Sequence, residues 1–375
     1  MKLSVIIVSY KVPYFVEQCI NSVRRATKNM DCEIFVVDNH SADGTVDYLR
    51  QCFGNSIILI DSNHNLGFAR ANNMAIRQAK GDYVLLLNPD TFVGEDAIKQ
   101  AVCFMDEHPK AGGVGVMMHN SNGTIAPESR RALPTPWVSF LKMLGLSRRY
   151  YMSHLSWDHA ERIDVMSGAF CLLRHSTLKE IGLLDEDFFM YGEDIDLSYR
   201  ILKGGYENWY VPARIVHYKG ESTQKSSFRY VHVFYQAMLI FFRKHYGHLT
   251  LLVTLPIKAA IYLRAFMALV PMQYWRMRRA LGFYDKNDNW PMYVFVGSSE
   301  MHQACRALAQ RKALTARYAD VDEKVVPAKK QCVVYDTEIF SFEEIISRAS
   351  ADGLSLIGTF STKTNILITP HEVLK

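Results

Sequence analysis

The chain has 375 residues and a net charge of +5, with 49% hydrophobic and 22% charged residues. At about 100–200 residues per domain, two or three units are expected, and this composition excludes a wholly disordered chain. The seven cysteines are scattered and include no C-x-x-C pair, which argues against a disulfide framework or a thiolate zinc site and favours a reducing compartment.

The first 120 residues alternate short apolar runs with helix-like patterns. The runs lack period-two alternation, as expected for parallel strands covered on both faces, and the first is too short for a signal peptide. Helices are predicted from Pro13, after Gly44 and after Gly67. The pattern predicts a doubly wound open sheet that binds ligands at the carboxyl ends of its strands. The runs are Leu3–Ser9, Glu33–Val37, Ile57–Ile60 and Tyr83–Leu87.

The later part of this unit is less regular. Residues 112–175 are typical of short strands and loops, residues 176–205 of helix, and Val211–His217 of a last strand. The acidic stretch that begins with Glu193 lies at a predicted helix start, where the helix dipole favours carboxylates.

Residues 222–284 contain nine Lys or Arg and no Asp or Glu. Leu249–Val270 is long enough to cross a bilayer, but Lys258 and Arg264 lie within it, at about 2.5–3.5 kcal/mol each near the bilayer centre. Helices lying on a membrane surface are therefore favoured. We predict three units: an α/β unit with a doubly wound sheet over 1–221, this basic segment over 222–288, and a small α/β unit of unassigned role over 289–375.

Polar residues follow several predicted strands. Asp38 ends the second strand, where a carboxylate can accept hydrogen bonds from a nucleotide base or ribose, although capping the next helix would also explain it. Gly67 stands at a loop-to-helix junction, and Arg70 one turn later is placed to meet a phosphate. Asp90 follows the fourth strand, and Mg²⁺ in proteins is typically held by one or two carboxylates with substrate phosphates.

The ordered set of motifs resembles glycosyltransferase family 2, which has the GT-A fold, and is similar to its rhamnosyltransferase-like bacterial members. Each motif is weak alone, and the resemblance covers roughly residues 2–245. The motifs are Val8-Ser9-Tyr10, the run from Asp38 to Thr45, Asn65-Leu66-Gly67-Phe68, Asn88-Pro89-Asp90, Ser167-Gly168-Ala169-Phe170, the run from Gly192 to Arg200, and His217.

The resemblance implies a role for each matching position. Asp194 would be the general base that activates an acceptor hydroxyl. Asp90 and His217 would bind a divalent cation, Mg²⁺ or Mn²⁺. The implied acceptor-binding residues are Gly168, Glu193 and Asp196. The implied donor-binding residues are Ser9, Asp38, Asn65, Gly67, Arg70, Asn88 and Asp90.

Two positions depart from the family pattern. Lys11 stands where an Asn is common after the first strand, and Asn88 replaces the first Asp of the family's D-x-D motif. Because a neutral amide is a poorer metal ligand than a carboxylate, Asp90 and His217 would carry more of the coordination.

The resemblance implies a metal-dependent, inverting transfer of a hexosyl or deoxyhexosyl group from a UDP or dTDP sugar. The acceptor would be a hydroxyl of a glycan or lipid-linked molecule in cell-surface polysaccharide synthesis. We expect a cytoplasmic protein, peripheral on the inner face of the cell membrane, without nucleic acid and compatible with a homo-oligomer. The alternatives are a nucleotide-sugar or nucleic-acid binding protein without transferase activity and, third, a nucleotidyltransferase, for which Lys11 lacks surrounding glycines.

Overall fold

A computed structural model describes residues 1–219, 228–247 and 291–375, together with isolated helical positions between 255 and 278. The strands of the N-terminal unit are β1 Leu3–Ser9, β2 Cys32–Asp38, β3 Ile58–Asp61, β4 Tyr83–Leu87, β5 Thr91–Val93, β6 Ala111–His119, β7 Glu161–Ile163, β8 Phe170–Arg174 and β9 Glu207–His217. Its helices are α1 Pro13–Ala26, α2 Thr45–Phe53, α3 Phe68–Ile76, α4 Ala97–Glu107, α5 Pro136–Met143, α6 His175–Ile181, α7 Glu193–Lys203 and α8 Phe228–Tyr246.

The N-terminal half of the large sheet is parallel, in the order β3-β2-β1-β4. All residues of β1 and β4 are buried, because helices cover both faces of such a sheet. The predicted strands and the helix from Pro13 are confirmed, with Pro13 at the first turn of α1. The register pairs Ser9 with Asp38, so the carboxyl ends of the two strands form one edge.

The other half of the sheet is mixed. The order continues β4-β8-β6-β9-β5, with β8 antiparallel to β4 and β5 antiparallel to β9. The predicted last strand is confirmed but begins earlier, at Glu207. The expected helix over 176–205 is wrong as one element, because a loop that includes Gly182 and Gly192 at positive φ separates α6 from α7. The overall architecture is the predicted GT-A-like α/β unit.

The C-terminal unit has its own six-stranded sheet. Its order is β11-β10-β12-β13-β14-β15, and the first four strands are parallel. The predicted α/β character is therefore confirmed. The strands are β10 Met292–Val296, β11 Ala316–Ala319, β12 Gln331–Asp336, β13 Leu356–Ser361, β14 Ile366–Ile368 and β15 Val373–Leu374, and the helices are α9 Ser299–Lys312 and α10 Phe342–Asp352.

The two units share one hydrophobic core. Phe342 of α10 packs its ring against Phe92 of β5, at a centroid distance of 5.1 Å. Glu95 caps the start of α10, accepting from the backbone N–H of Phe342 at 2.8 Å and of Glu343 at 2.7 Å. A carboxylate at these otherwise unpaired N–H groups is also favoured by the helix dipole. Glu343 in turn pairs with Arg214 of β9, so α10 is fixed to the β5–β9 pair.

The predicted basic segment, including Leu249–Val270, lies largely outside the described residues. In the part of the chain that the structure does describe, no helix is long and apolar enough to cross a membrane. The boundaries 1–221, 222–288 and 289–375 stay predictions.

Close packing at Gly123 gives a test of the contact between the two units. Gly123 has φ +78°, and a Cβ there would lie 1.9 Å from the carbonyl oxygen of Ala349 in α10. We expect Gly123→Ala to lower the free energy of unfolding by clearly more than the ~1–2 kcal/mol of a left-handed non-glycine residue. Chemical denaturation measures this change.

Gly205→Ala is the matched control, because Gly205 has φ +83° with nothing within 4 Å of an added Cβ. Gly205→Ala should lower the free energy of unfolding only by the ~1–2 kcal/mol of a left-handed non-glycine residue. Equal losses in the two variants would show that α10 does not pack against Gly123 in solution.

Candidate active site

The donor edge begins where β1 and β2 end side by side. Asp38 is buried, and its two carboxylate oxygens accept from the backbone N–H of Ser41 at 2.8 Å and from the Ser41 hydroxyl at 2.6 Å. Ser41 Oγ also accepts from the Lys11 N–H at 2.7 Å. The Ser9 hydroxyl is buried and has no partner among the described residues. Asp38 thus orders the loop and keeps unused acceptor sites at the strand edge.

A second network joins this edge to the start of α3. The Asn39 side chain donates to Asn65 Oδ1 at 3.0 Å and accepts from the Leu66 N–H at 2.8 Å. Asn65 Oδ1 also accepts from the Gly67 N–H at 3.0 Å. Asn39, which the sequence analysis did not single out, therefore holds the predicted donor residues Asn65 and Gly67. Its only signal in the sequence is its place directly after Asp38.

Gly67 lies in close contact with the loop that precedes α7. It has φ +80°, and a Cβ there would lie 2.4 Å from the carbonyl oxygen of Phe189, which accepts from the Phe68 N–H at 2.7 Å. Arg70, one turn further, is half-exposed and lies 3.6 Å from Glu186 of the same loop. Gly67 is thus required by a backbone approach, and Arg70 lies on the surface of this junction.

Asn88, Asp90 and His217 converge at the end of β4. Thr91 is paired with His217 across β5 and β9, and the Tyr218 N–H donates to the Asp90 carbonyl at 3.0 Å. His217 Nε2 lies 3.3 Å from Asp90 Oδ1 and 3.4 Å from Asn88 Nδ2. Asp90 is 1% exposed. Two residues 127 positions apart in sequence are therefore neighbours because of one strand pairing.

The chemistry of these donors fits a divalent cation that shares its ligands with a substrate. A carboxylate oxygen and an imidazole nitrogen suit Mn²⁺, and carboxylates suit Mg²⁺, which keeps few protein ligands and takes substrate phosphates. Within the described residues, no group of three or more His, Cys, Asp or Glu side chains could enclose a metal. Asp90 and His217 would supply two ligands, and Mg²⁺ commonly takes its remaining ligands from water and substrate phosphates.

Asp194 lies on the other side of a short connecting segment. Its Oδ2 accepts from Arg131 Nη2 at 2.5 Å and from the Gly168 N–H at 3.3 Å, while Oδ1 accepts from the Ile195 N–H at 2.8 Å. The adjacent Ala169 accepts from the Asn88 N–H at 3.0 Å. The Gly168–Ala169 segment thus joins the base candidate to the end of β4.

Arg131 was not predicted from the sequence. Its guanidinium also donates to the Met166 carbonyl and is only 11% exposed. Burial by itself lowers the pKa of Arg131, but the charge of Asp194 beside it raises the pKa overall, so the group stays cationic. Arg131 follows another arginine in a proline-rich loop, and nothing in that pattern distinguishes it from a surface arginine.

Glu193 is the first residue of α7, after Gly192 at φ +86°. Its side chain is buried, and Oε2 has no partner among the described residues. Burial first, and the neighbouring Asp194 second, raise the pKa of Glu193 well above its ordinary value. The two adjacent acids therefore differ: Asp194 meets a cation, and Glu193 is held in its neutral form.

Asp196 is fully buried and points to the other side of α7. It pairs with Arg200 at 2.8 Å, Lys244 at 2.8 Å and His245 at 2.7 Å. These partners hold the pKa of Asp196 below its usual value against the opposing effect of burial. Because its carboxylate joins α8 to α7, its geometry favours a structural role, and the predicted acceptor contact lacks an exposed oxygen.

The chain is similar to known glycosyltransferases. The family model described as glycosyl transferase family 2 matches residues 4–182. The chain is 28% identical over 259 residues to N-acetylglucosaminyl-diphospho-decaprenol L-rhamnosyltransferase of Mycobacterium tuberculosis, covering 64% of this chain and 83% of that protein. It is also 28% identical over 211 residues to poly-beta-1,6-N-acetyl-D-glucosamine synthase of Staphylococcus aureus, covering 56% of this chain and 48% of the relative.

Among solved structures, the chain is similar to a mannosyltransferase of Pyrobaculum calidifontis in complex with GDP-Man and Mn²⁺. The TM-score is 0.46 at 19% identity, over 83% of this chain and 81% of that one. The match to the family model and the two curated relatives set the binding-only alternatives aside. Residues 4–182 match glycosyltransferase family 2, and the chain is a glycosyltransferase.

Proposed function

We propose that the protein is a metal-dependent inverting glycosyltransferase that uses a UDP or dTDP sugar. Its acceptor is a hydroxyl of a glycan or lipid-linked molecule in cell-surface polysaccharide synthesis. The observation that carries the proposal is the convergence at the carboxyl ends of β1, β2 and β4. There a nucleotide-binding edge, a carboxylate–imidazole pair and a separate carboxylate beside Arg131 are joined by short hydrogen-bonded segments.

The donor nucleotide is proposed to lie along the ends of β1 and β2. The buried Ser9 hydroxyl without a described partner and the spare acceptor sites of Asp38 are groups that a ribose or base can satisfy. The Asn39–Asn65 network holds the start of α3 in place, so the backbone near Gly67 can be approached closely. Arg70, half-exposed next to Glu186, is the cation predicted to meet the donor phosphate.

Asp90 and His217 are proposed to hold the divalent cation, Mg²⁺ or Mn²⁺, with Asn88 contributing its amide. When bound, the cation supplies charge neutralisation for the departing nucleoside diphosphate. The burial of Asp90 keeps that carboxylate away from bulk water, and the β5–β9 pairing fixes its separation from His217. Both features position the two side chains before any ligand arrives.

Asp194 is proposed as the general base. A carboxylate has about four acceptor sites, and three donors already use Asp194, from Arg131, Gly168 and Ile195. One site therefore remains to accept the proton of an acceptor hydroxyl while its oxygen attacks the anomeric carbon. A single displacement from the opposite face inverts the configuration, and no second carboxylate is needed as a nucleophile.

The class of acceptor rests on the names of the relatives. The Mycobacterium tuberculosis relative is named for a diphospho-decaprenol acceptor and the Staphylococcus aureus relative for a polysaccharide. Both classes are consistent with a protein at the inner face of the cell membrane. Release of nucleoside diphosphate from a panel of sugar nucleotides, with and without Mg²⁺ or Mn²⁺, tests the proposal, and a panel without metal-dependent binding of any donor would contradict it.

The two adjacent acids should respond differently to amide substitution. Asp194→Asn should lower transfer at least about 100-fold, because a general base typically contributes 10²–10⁴-fold. Glu193→Gln should keep transfer within about threefold, because the raised pKa already keeps that carboxyl neutral near pH 7. Steady-state rates with saturating donor and metal measure both effects.

Glu193→Gln also has a stability readout that serves as its control. Because the folded pKa of Glu193 is raised, the wild type loses stability as pH rises from about 4.5 toward that pKa. The variant should lack this part of the pH dependence in denaturation curves. Equal loss of activity in the two amide variants would contradict the separate roles.

The metal assignment is tested by Asp90→Asn and His217→Gln. Each should raise the concentration of Mn²⁺ needed for half-maximal activity by at least about tenfold, since even changes next to metal ligands cost that much. Asp106→Asn is the matched control, because Asp106 pairs with Lys2 and Tyr83 at the opposite end of β1 and β4. An unchanged metal requirement in both site variants would exclude these ligands.

A further inference from the structure

Residues 132–150 form a closed loop that directly follows Arg131, the partner of Asp194. The Ala132 N–H donates to the Tyr150 carbonyl at 2.8 Å, which closes the two ends of residues 132–150. Between them lies α5, with Pro136 in its first turn and Thr135 accepting from the Val138 N–H at 3.3 Å. The segment is therefore a capped helix on a closed loop, placed next to Arg131.

The outer face of this segment is apolar. In the described part of the chain, Trp137 is 57% exposed, Phe140 46%, Leu144 61% and Leu146 60%. Positions 137, 140 and 144 follow helical spacing and form one stripe, and the rings of Trp137 and Phe140 stack at 5.8 Å. Four large apolar side chains within ten residues are more than scattered surface hydrophobics, and they indicate an interaction surface.

The segment carries positive charge only, which indicates an anionic partner. Residues 129–157 contain no Asp or Glu. Lys142, Arg148 and Arg149 are exposed, and Lys142 lies over the Tyr150 ring at 3.3 Å. An apolar stripe with an aromatic residue and a rim of cations alone matches the surface of an anionic bilayer, where apolar side chains enter the acyl boundary and cations meet the headgroups.

We propose that residues 132–150 dock the enzyme on an anionic lipid surface. Trp137, Phe140 and Leu144 insert at headgroup depth, and Arg148 and Arg149 contact the lipid phosphates. Residues 132–150 are distinct in sequence from the basic segment over 222–288.

The segment directly follows the residue that contacts the proposed general base. The link between docking and catalysis therefore rests on the proposed function. The residue before the segment is Arg131, which is bonded to Asp194 at 2.5 Å. A lipid-linked acceptor keeps its diphosphate at headgroup level, so a catalytic unit docked through α5 brings Asp194 near that level. Docking thereby confines the encounter between Asp194 and the acceptor hydroxyl to the membrane plane.

Vesicle co-sedimentation of the full chain tests the proposal. The vesicles are phosphatidylcholine alone or a mixture with phosphatidylglycerol. We expect binding to the mixed vesicles that falls at least about tenfold in Trp137→Ser/Phe140→Ser and in Arg148→Gln/Arg149→Gln. The matched controls are Val326→Ser, at an apolar side chain 73% exposed in the C-terminal unit, and Lys324→Gln/Lys329→Gln, at exposed lysines there.

Unchanged binding of both α5 variants, or equal binding of the wild type to the two kinds of vesicle, overturns the proposal. Metal-dependent hydrolysis of the donor in water, measured in parallel, should stay within about twofold of the wild type in the α5 variants. If the α5 variants lose both that hydrolysis and vesicle binding, α5 belongs to the catalytic site and its docking role is overturned. A wild type that binds the mixed vesicles but turns over no donor would leave the docking surface standing and the proposed function failed.

Discussion

The pairing of β9 with both β6 and β5 is the constraint on which the candidate site depends. The parallel half of the sheet brings only the ends of β1, β2 and β4 to one edge. β9 turns that edge into a site, because its antiparallel contact with β5 places His217 opposite Thr91 and thus beside Asp90. A one-residue slip in this pairing would turn His217 to the other face of the sheet. The register of one three-residue strand therefore controls the distance between two proposed ligands.

The C-terminal unit stabilises this register through contacts of α10 with β5 and β9. Arg214 of β9 pairs with Glu343, Phe92 of β5 packs on Phe342, and Glu95 after β5 caps α10. All three contacts come from the first turn of one helix and fall on the same strand pair. A short strand with few ladder bonds gains little rigidity alone, so the packing of α10 adds to what the ladder supplies. This explains why a unit without proposed catalytic residues shares a core with the catalytic one.

The sequence predicted the parts of the site that depend on local patterns. Continuous apolar runs identified β1 and β4, and Asp38 and Asp90 were found because polar residues follow strands directly. Arg131 and Asn39 were missed because their partners lie in the folded chain, 63 residues away for Asp194 and 26 for Asn65. The prediction for Asp196 illustrates the same limit: the acidic helix start is visible in sequence, but the cations from α8 that occupy the carboxylate are not.

Glu193 and Asp194 show that the chemical role of a carboxyl group depends more on its surroundings than on the residue type. Glu193 and Asp194 share a helix start and a dipole, so local sequence gives both the same environment. Tertiary packing separates them: a guanidinium and two backbone N–H groups surround Asp194, whereas the buried Oε2 of Glu193 has no partner among the described residues. Two ionised carboxylates this close would repel each other, and a neutral Glu193 removes that repulsion. With Glu193 neutral, Asp194 has the guanidinium of Arg131 as its charged neighbour on this side of α7, and tertiary packing has given two adjacent acids different surroundings.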